Sequence, residues 1–197
     1  MTAKRLVFWF DFASTYSYLS AERIDALCAE AGVEVEWRPI LLGPVFKAQG
    51  WDTSPFNIYP AKGRYMWRDM ERLCAARGLP LVRPDPFPQN SLLAARTARV
   101  SQPTGADPAF CKAVFRAEFQ SGAQISDPEV ITRLLSECGL PSDLLEVGQS
   151  NANKAALRAD VEKGMALGLF GAPTFTVAEE VFWGDDRLEA AIRFAVA

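Results

Sequence analysis

Leu6–Phe12 is apolar except for Asp11 and predicts a buried strand. It gives way to the small and hydroxylated residues Ala13, Ser14 and Thr15. An amphipathic segment over residues 15–31 follows, its apolar face carrying Tyr18, Leu19, Ile24 and Leu27. Gly32 stops that helix. Val33, Val35 and Trp37 alternate along a second strand, residues 33–38, which Pro39 ends. Residues 41–59, punctuated by Gly and Pro, predict a loop carrying Phe46, Trp51 and Phe56. A helical period then runs over 62–77, 90–101, 107–121, 127–138, 141–148 and 151–168, with breaks at glycines and prolines. Asp107 and Ser126 stand where these helices would start, and Ser126 with Glu129 has the spacing of a capping box. Pro173 opens a strand-like run over 174–177, and Val181–Trp183 makes another short strand. After a turn at Gly184, an Asp-capped helix covers 186–196. The expected architecture is an α/β frame, βαβ…ββα, formed by residues 1–59 and 169–197, with a helical insertion at 60–168.

At 197 residues, 49% apolar and 23% charged, the chain can bury a sizeable core. Its net charge of −3 argues against a nucleic-acid surface and a polybasic membrane anchor. No apolar run approaches the roughly 20 residues of a membrane-spanning helix. The N-terminal apolar run meets Asp11 too early for a signal peptide, which points to the cytoplasm. Cys28, Cys74, Cys111 and Cys138 lack disulfide or metal-ligand spacing and sit among apolar helical neighbours, so they are expected to be structural. The chain contains no histidine. That removes Ser-His-Asp triads, Cys-His pairs and His-based metal sites. A catalyst here is left with hydroxyls, lysine, carboxylates, backbone dipoles or a nucleophile brought by a cofactor.

Two segments carry the candidate chemistry. The turn after the first strand puts Ser14 at a helix N-terminus, where unpaired N–H groups favour an anion. Ser14 also suits a plain N-cap role. Far along the chain, Gly171-Ala172-Pro173-Thr174 precedes a strand. A cis bond before Pro173 is expected to turn the Ala172 backbone outward, leaving its N–H and C=O free for a peptide ligand. In a thioredoxin-like fold these segments are the two halves of the active site. Ser14-Thr15-Tyr16-Ser17 then occupies the place of Cys-x-x-Cys, with the redox couple gone.

With FDFASTYSYL (10–19), PAKGRYMWRDMERL (60–73), FPQNSLLAAR (87–96), GAPTF (171–175) and FWGDDRLE (182–189) in view, the chain resembles the 2-hydroxychromene-2-carboxylate isomerases. These are relatives of kappa-class glutathione transferases in the DsbA-like branch of thioredoxin folds. The resemblance implies glutathione as cofactor, a small aromatic substrate and a homodimer. It implies isomerisation by reversible addition of the glutathione thiolate, rotation about the former double bond, and elimination. Ser14 is implied to contact the sulfur, with Ser17 as rival donor and Tyr16 and Tyr18 as packing. Lys62 would pair with a glutathione carboxylate, and Ala172, before Pro173, with the cysteinyl backbone. Asp186 by its carboxylate, and Asp185 partly through its backbone, would hold the γ-glutamyl end; Asp185 equally suits an N-cap. Trp51, Phe56, Tyr65 and Trp67 are candidate walls of the acceptor site, and Arg64 and Asn90 candidate partners of a substrate carboxylate. Two other functions fit the residues: a kappa-like transferase acting on electrophiles, and a non-catalytic thioredoxin-like module holding a ligand or peptide.

Overall fold

The computed structural model describes residues 4–197. In chain order the elements are β1 (Arg5–Phe10), α1 (Thr15–Ala21), α2 (Ile24–Ala31), β2 (Glu34–Pro39), α3 (Leu42–Ala48), α4 (Pro55–Ile58), α5 (Pro60–Arg77) and α6 (Leu92–Arg99). They continue with α7 (Pro108–Ser121), α8 (Pro128–Glu137), α9 (Leu144–Gly148), α10 (Asn151–Ala166), β3 (Thr174–Val177), β4 (Glu180–Trp183) and α11 (Leu188–Val196). The sheet order is β2-β1-β3-β4, with β1 parallel to β2 and antiparallel to β3. All the helices from α3 to α10 lie between β2 and β3 in sequence.

β1 is apolar on both faces because both are covered. Phe8 and Phe10 enter one aromatic cluster: Phe8 meets Trp37 of β2 at 5.0 Å and Phe175 of β3 at 5.5 Å between centroids, and Phe10 meets Phe115 of α7 at 5.6 Å. Trp9 points the other way, into a smaller cluster with Ile40, Val45 of α3 and Val161 of α10. Its indole N–H donates to Thr176 Oγ1 at 2.9 Å. Every large side chain of the strand is thus committed, which fixes its register against both neighbours.

The local expectations hold with five corrections. The last helix, expected to be Asp-capped over 186–196, begins at Leu188 after a single 3-10 turn at Asp185–Arg187, and no side chain caps it. β1 stops at Phe10 rather than Phe12, because the Asp11 carboxylate turns to accept from Ala13 N (3.0 Å) and Leu42 N (2.7 Å). The helix expected over 15–31 divides at Glu22-Arg23. There tertiary ion pairs outweigh helical continuity: Glu22 holds Arg116 of α7, and Arg23 holds Asp185 and Glu189. The 41–59 segment contains α3 and α4, whose Pro44 and Pro55 sit in first turns, where a missing N–H costs nothing. Asp127, not Ser126, caps α8, its carboxylate accepting from Glu129 N at 2.8 Å. Asp107 caps α7 as expected. Cys28, Cys74 and Cys111 are buried, and all four cysteines are free. Among the described residues no helix is long and apolar enough to cross a membrane, and no group of side chains could hold a metal ion.

One buried group is at odds with its surroundings. Glu118 of α7 is fully buried, and neither carboxylate oxygen has a hydrogen-bond partner among the described residues. Burial pushes its carboxyl well above the usual carboxylate range, and the nearby Asp11 adds to the shift. The folded state therefore keeps a proton that the unfolded chain releases. Stability falls as pH rises above the ordinary Glu pKa of about 4.3. Glu118→Gln, which cannot ionise, is expected to unfold at a higher urea midpoint than the parent, with a gap that widens from pH 5 to pH 8. Parallel midpoint-against-pH curves would contradict this.

Candidate functional site

The β1–α1 turn, the α3–α4 segment, one face of α5, residues 87–92 and the loops on either side of the β3–β4 hairpin surround a cleft of about 1110 Å³. Its floor is the Ser14 turn. Ser14 is buried, 8% exposed, and caps α1: its Oγ accepts from Ser17 N at 3.2 Å and donates to the Ala172 carbonyl at 3.1 Å. The Ala172–Pro173 bond is cis, as expected. The Ala172 carbonyl, expected to be free, is thus engaged by the Ser14 hydroxyl. Ser17 is fully buried, its hydroxyl has no partner among the described residues, and it does not line the cleft. Of the two serines, Ser14 is the one that lines the cleft.

Sequence reasoning missed Asp11 as a site residue. It lines the cleft, 4% exposed, and joins the Ser14 turn to the start of α3 through Ala13 N and Leu42 N. Burial raises its carboxyl, while the Ser91 hydroxyl and those two N–H groups oppose the rise. The signal was present as a carboxylate at the end of an apolar strand, where it needs partners.

The α5 face turned to the cleft carries Lys62, Asp69, Leu73 and Arg77, a helical period. Lys62 is exposed at the rim, its ammonium over the Tyr59 ring at 4.7 Å. Asp69 and Arg77 were not foreseen; their spacing from Lys62 was the available signal. Tyr16 is more than packing: its hydroxyl donates to Asp69 Oδ2 at 2.9 Å, and burial together with that carboxylate raises the phenol's pKa. Arg77 Nη1 is buried without a partner among the described residues, while Nη2 donates to Asp185 at 2.6 Å.

The two neighbouring aspartates part company. The Asp185 carboxylate is buried and accepts from Ser20 Oγ (2.9 Å), Arg23 Nε (3.2 Å) and Arg77 Nη2 (2.6 Å). It is not a helix cap, and its carboxylate is taken up by these three donors. Asp186 is exposed at the cleft edge, its carboxylate 3.3 Å from the Arg187 guanidinium. Gly184, two residues before it, has a left-handed φ of +107°, which favours glycine.

Of the acceptor-site candidates, Trp51, Phe56 and Asn90 line the cleft, and Asn90 Oδ1 accepts from Leu92 N at 3.1 Å. Arg64 and Tyr65 do not. Arg64 lies on the far side of α5 from Lys62 and faces a second cavity of about 380 Å³ with Trp67 and Arg83. Tyr65, 62% exposed, points to solvent beyond the rim. Trp67 packs edge-on against Phe87.

The Asp185 geometry predicts a structural outcome. Asp185→Asn leaves Arg77 largely buried without its counter-charge and Arg23 with Glu189 alone, so a loss of about 3 kcal/mol in stability is expected. Asp186→Asn is expected to change stability by less than about 0.5 kcal/mol, as for exposed sites. Urea unfolding of the two variants checks both; equal stabilities would contradict the division of roles.

A family model, the DSBA-like thioredoxin domain, matches residues 5–192. A 2-hydroxychromene-2-carboxylate isomerase of Sphingobium xenophagum is 30% identical over 189 residues, covering 94% of this chain and 95% of its own. Glutathione S-transferase kappa 1 of Caenorhabditis elegans is 25% identical over 198 residues, covering 93% and 87%. The solved structure of a selenomethionine-labelled 2-hydroxychromene-2-carboxylate isomerase superposes with a TM-score of 0.83 at 26% identity, over 94% of this chain and 91% of that one. The chain belongs to the DSBA-like thioredoxin family and is a homologue of the 2-hydroxychromene-2-carboxylate isomerases.

Proposed function

We propose that the protein is a glutathione-dependent isomerase of a chromene-type aromatic carboxylate. Glutathione, held by Ser14, Lys62, Ala172 and Asp186, would supply a thiolate for reversible addition to the conjugated substrate, and with it free rotation about the bond that addition saturates. The observation that carries this reading is Ser14: a reachable hydroxyl at the start of α1, on the floor of a cleft lined by none of the four cysteines. A thiol acting there has to come from outside the chain.

The residues present fit such a ligand. Ser14 can redirect its hydroxyl from the Ala172 carbonyl to sulfur, and a charge-assisted bond of this kind favours the ionised thiol. The freed Ala172 carbonyl then suits a peptide N–H. Lys62 offers a cation to a carboxylate and Asp186 a carboxylate to an ammonium, at separate places on the rim. The cleft is at the upper end of small-molecule sites, with room for a tripeptide beside an aromatic substrate. Phe46, Trp51 and Leu41 give the remaining wall an apolar character suited to the latter.

Two outcomes test the reading. Ser14→Ala is expected to lower turnover about 10- to 100-fold, matching the roughly 1.5–3 kcal/mol of a hydrogen bond to a charged group, with glutathione affinity changed less than about tenfold. Full activity in this variant would remove Ser14 from the chemistry. With a chromene-type carboxylate, one equivalent of glutathione is expected to support many turnovers while free thiol stays constant. If thiol falls one-for-one with product, the protein is a transferase of the kappa kind.

A further inference from the structure

Two aromatic pairs stand on the rim of the cleft. Phe46 and Trp51 lie on the α3 side, 6.1 Å apart between centroids; Phe170 and Trp183 lie on the hairpin side, 4.8 Å apart. The Gln49 side-chain amide donates to the Phe170 carbonyl at 3.0 Å, so the α3 segment and the loop before β3 form one rim. Phe170 and Trp183 are 47% and 51% exposed, a large apolar area left to water in the isolated chain.

The position of Trp183 is the telling feature. It stands opposite Thr174 in the β3–β4 ladder, and its side chain lies over Gly171. A β-carbon at Gly171 would come within 2.6 Å of the indole Nε1. The φ of Gly171 is outside the left-handed region, so the backbone there does not itself require glycine; the indole does. Gly171 adjoins Ala172, whose carbonyl receives the Ser14 hydroxyl. Of the two rim indoles, Trp183 is the one seated on the backbone of the Ser14 contact.

Resting on the reading of this cleft as a glutathione site, we propose that Trp183, backed by Phe170, is the wall against which the aryl ring of the acceptor packs. It thereby selects flat aromatic substrates over small aliphatic ones. A half-exposed indole and phenyl offer apolar area and an aromatic face to a planar group attached to the sulfur. Glycine at 171 is part of the device, since any larger residue would push the indole off its seat.

Two glutathione thioethers test the wall without turnover: S-methylglutathione and S-(naphthylmethyl)glutathione, with affinities measured by calorimetry. The parent is expected to bind the naphthyl compound at least about tenfold more tightly. Trp183→Leu is expected to remove most of that gain while leaving S-methylglutathione within about twofold. Gly171→Ala, which keeps the tryptophan but displaces it, is expected to give the same pattern. If both variants keep the naphthyl gain, or lose affinity for both compounds equally, the wall is refuted while the glutathione reading stands. If the parent binds neither compound, the glutathione reading fails and the wall with it.

Discussion

The antiparallel pairing of β1 with β3 brings together the two ends of the described chain. It sets Phe8 opposite Phe175 and Trp9 opposite Thr174, and so places the turn after β1 beside the loop before β3. The Ser14–Ala172 hydrogen bond is the outcome of that register. Because β1 is packed on both faces, by the Phe8–Phe10 cluster and by Trp9 with its bond to Thr176, the register has little freedom to slip. A one-residue shift would exchange the two sets of side chains and separate the halves of the site. Asp11 extends the same constraint to a third element, holding the start of α3 to the Ser14 turn.

Charge in the cleft is arranged by a division between locked and free groups. Asp185 is held by Ser20, Arg23 and Arg77, and ties the α11 end of the hairpin to α1, to the α1–α2 junction and to α5. Its neighbour Asp186 stays at the surface, beside Arg187. Two identical side chains in sequence thus serve fold and rim respectively. The absence of histidine, and the burial of Cys28, Cys74 and Cys111 with thiols raised by desolvation, leave the cleft with hydroxyls and charges but no nucleophile of its own strength.

Much of this was legible in the sequence because the patterns involved are local. An apolar run, an alternating run and helical periods predict strands and helices within a few residues of those observed, and Ser14, Lys62, Ala172 and Asp186 all reach the cleft. What escaped depends on tertiary partners. The break at Glu22-Arg23 has its cause in Arg116, Asp185 and Glu189, which lie far along the chain. The inward turn of Asp185 requires Arg77, and the cleft role of Tyr16 requires Asp69. Arg64 and Tyr65 were expected in the acceptor site, yet the helical period of α5, counted from Lys62, turns Arg64 to the far side, and Tyr65 is exposed to solvent instead of lining the cleft. Trp183 was legible as a strand residue but not as part of the site, since its place depends on the β3–β4 ladder and on the bare α-carbon of Gly171.

The central claim is that the Ser14 turn receives a thiol from outside and holds it ionised. The most direct measurement is a pH titration of the ultraviolet thiolate band of glutathione bound to the intact protein, compared with glutathione alone. The account predicts a bound thiol that is ionised at neutral pH, well below the value of about 8.5 for a free thiol. A bound thiol that titrates with the free one, or glutathione that fails to bind at millimolar concentration, would contradict it.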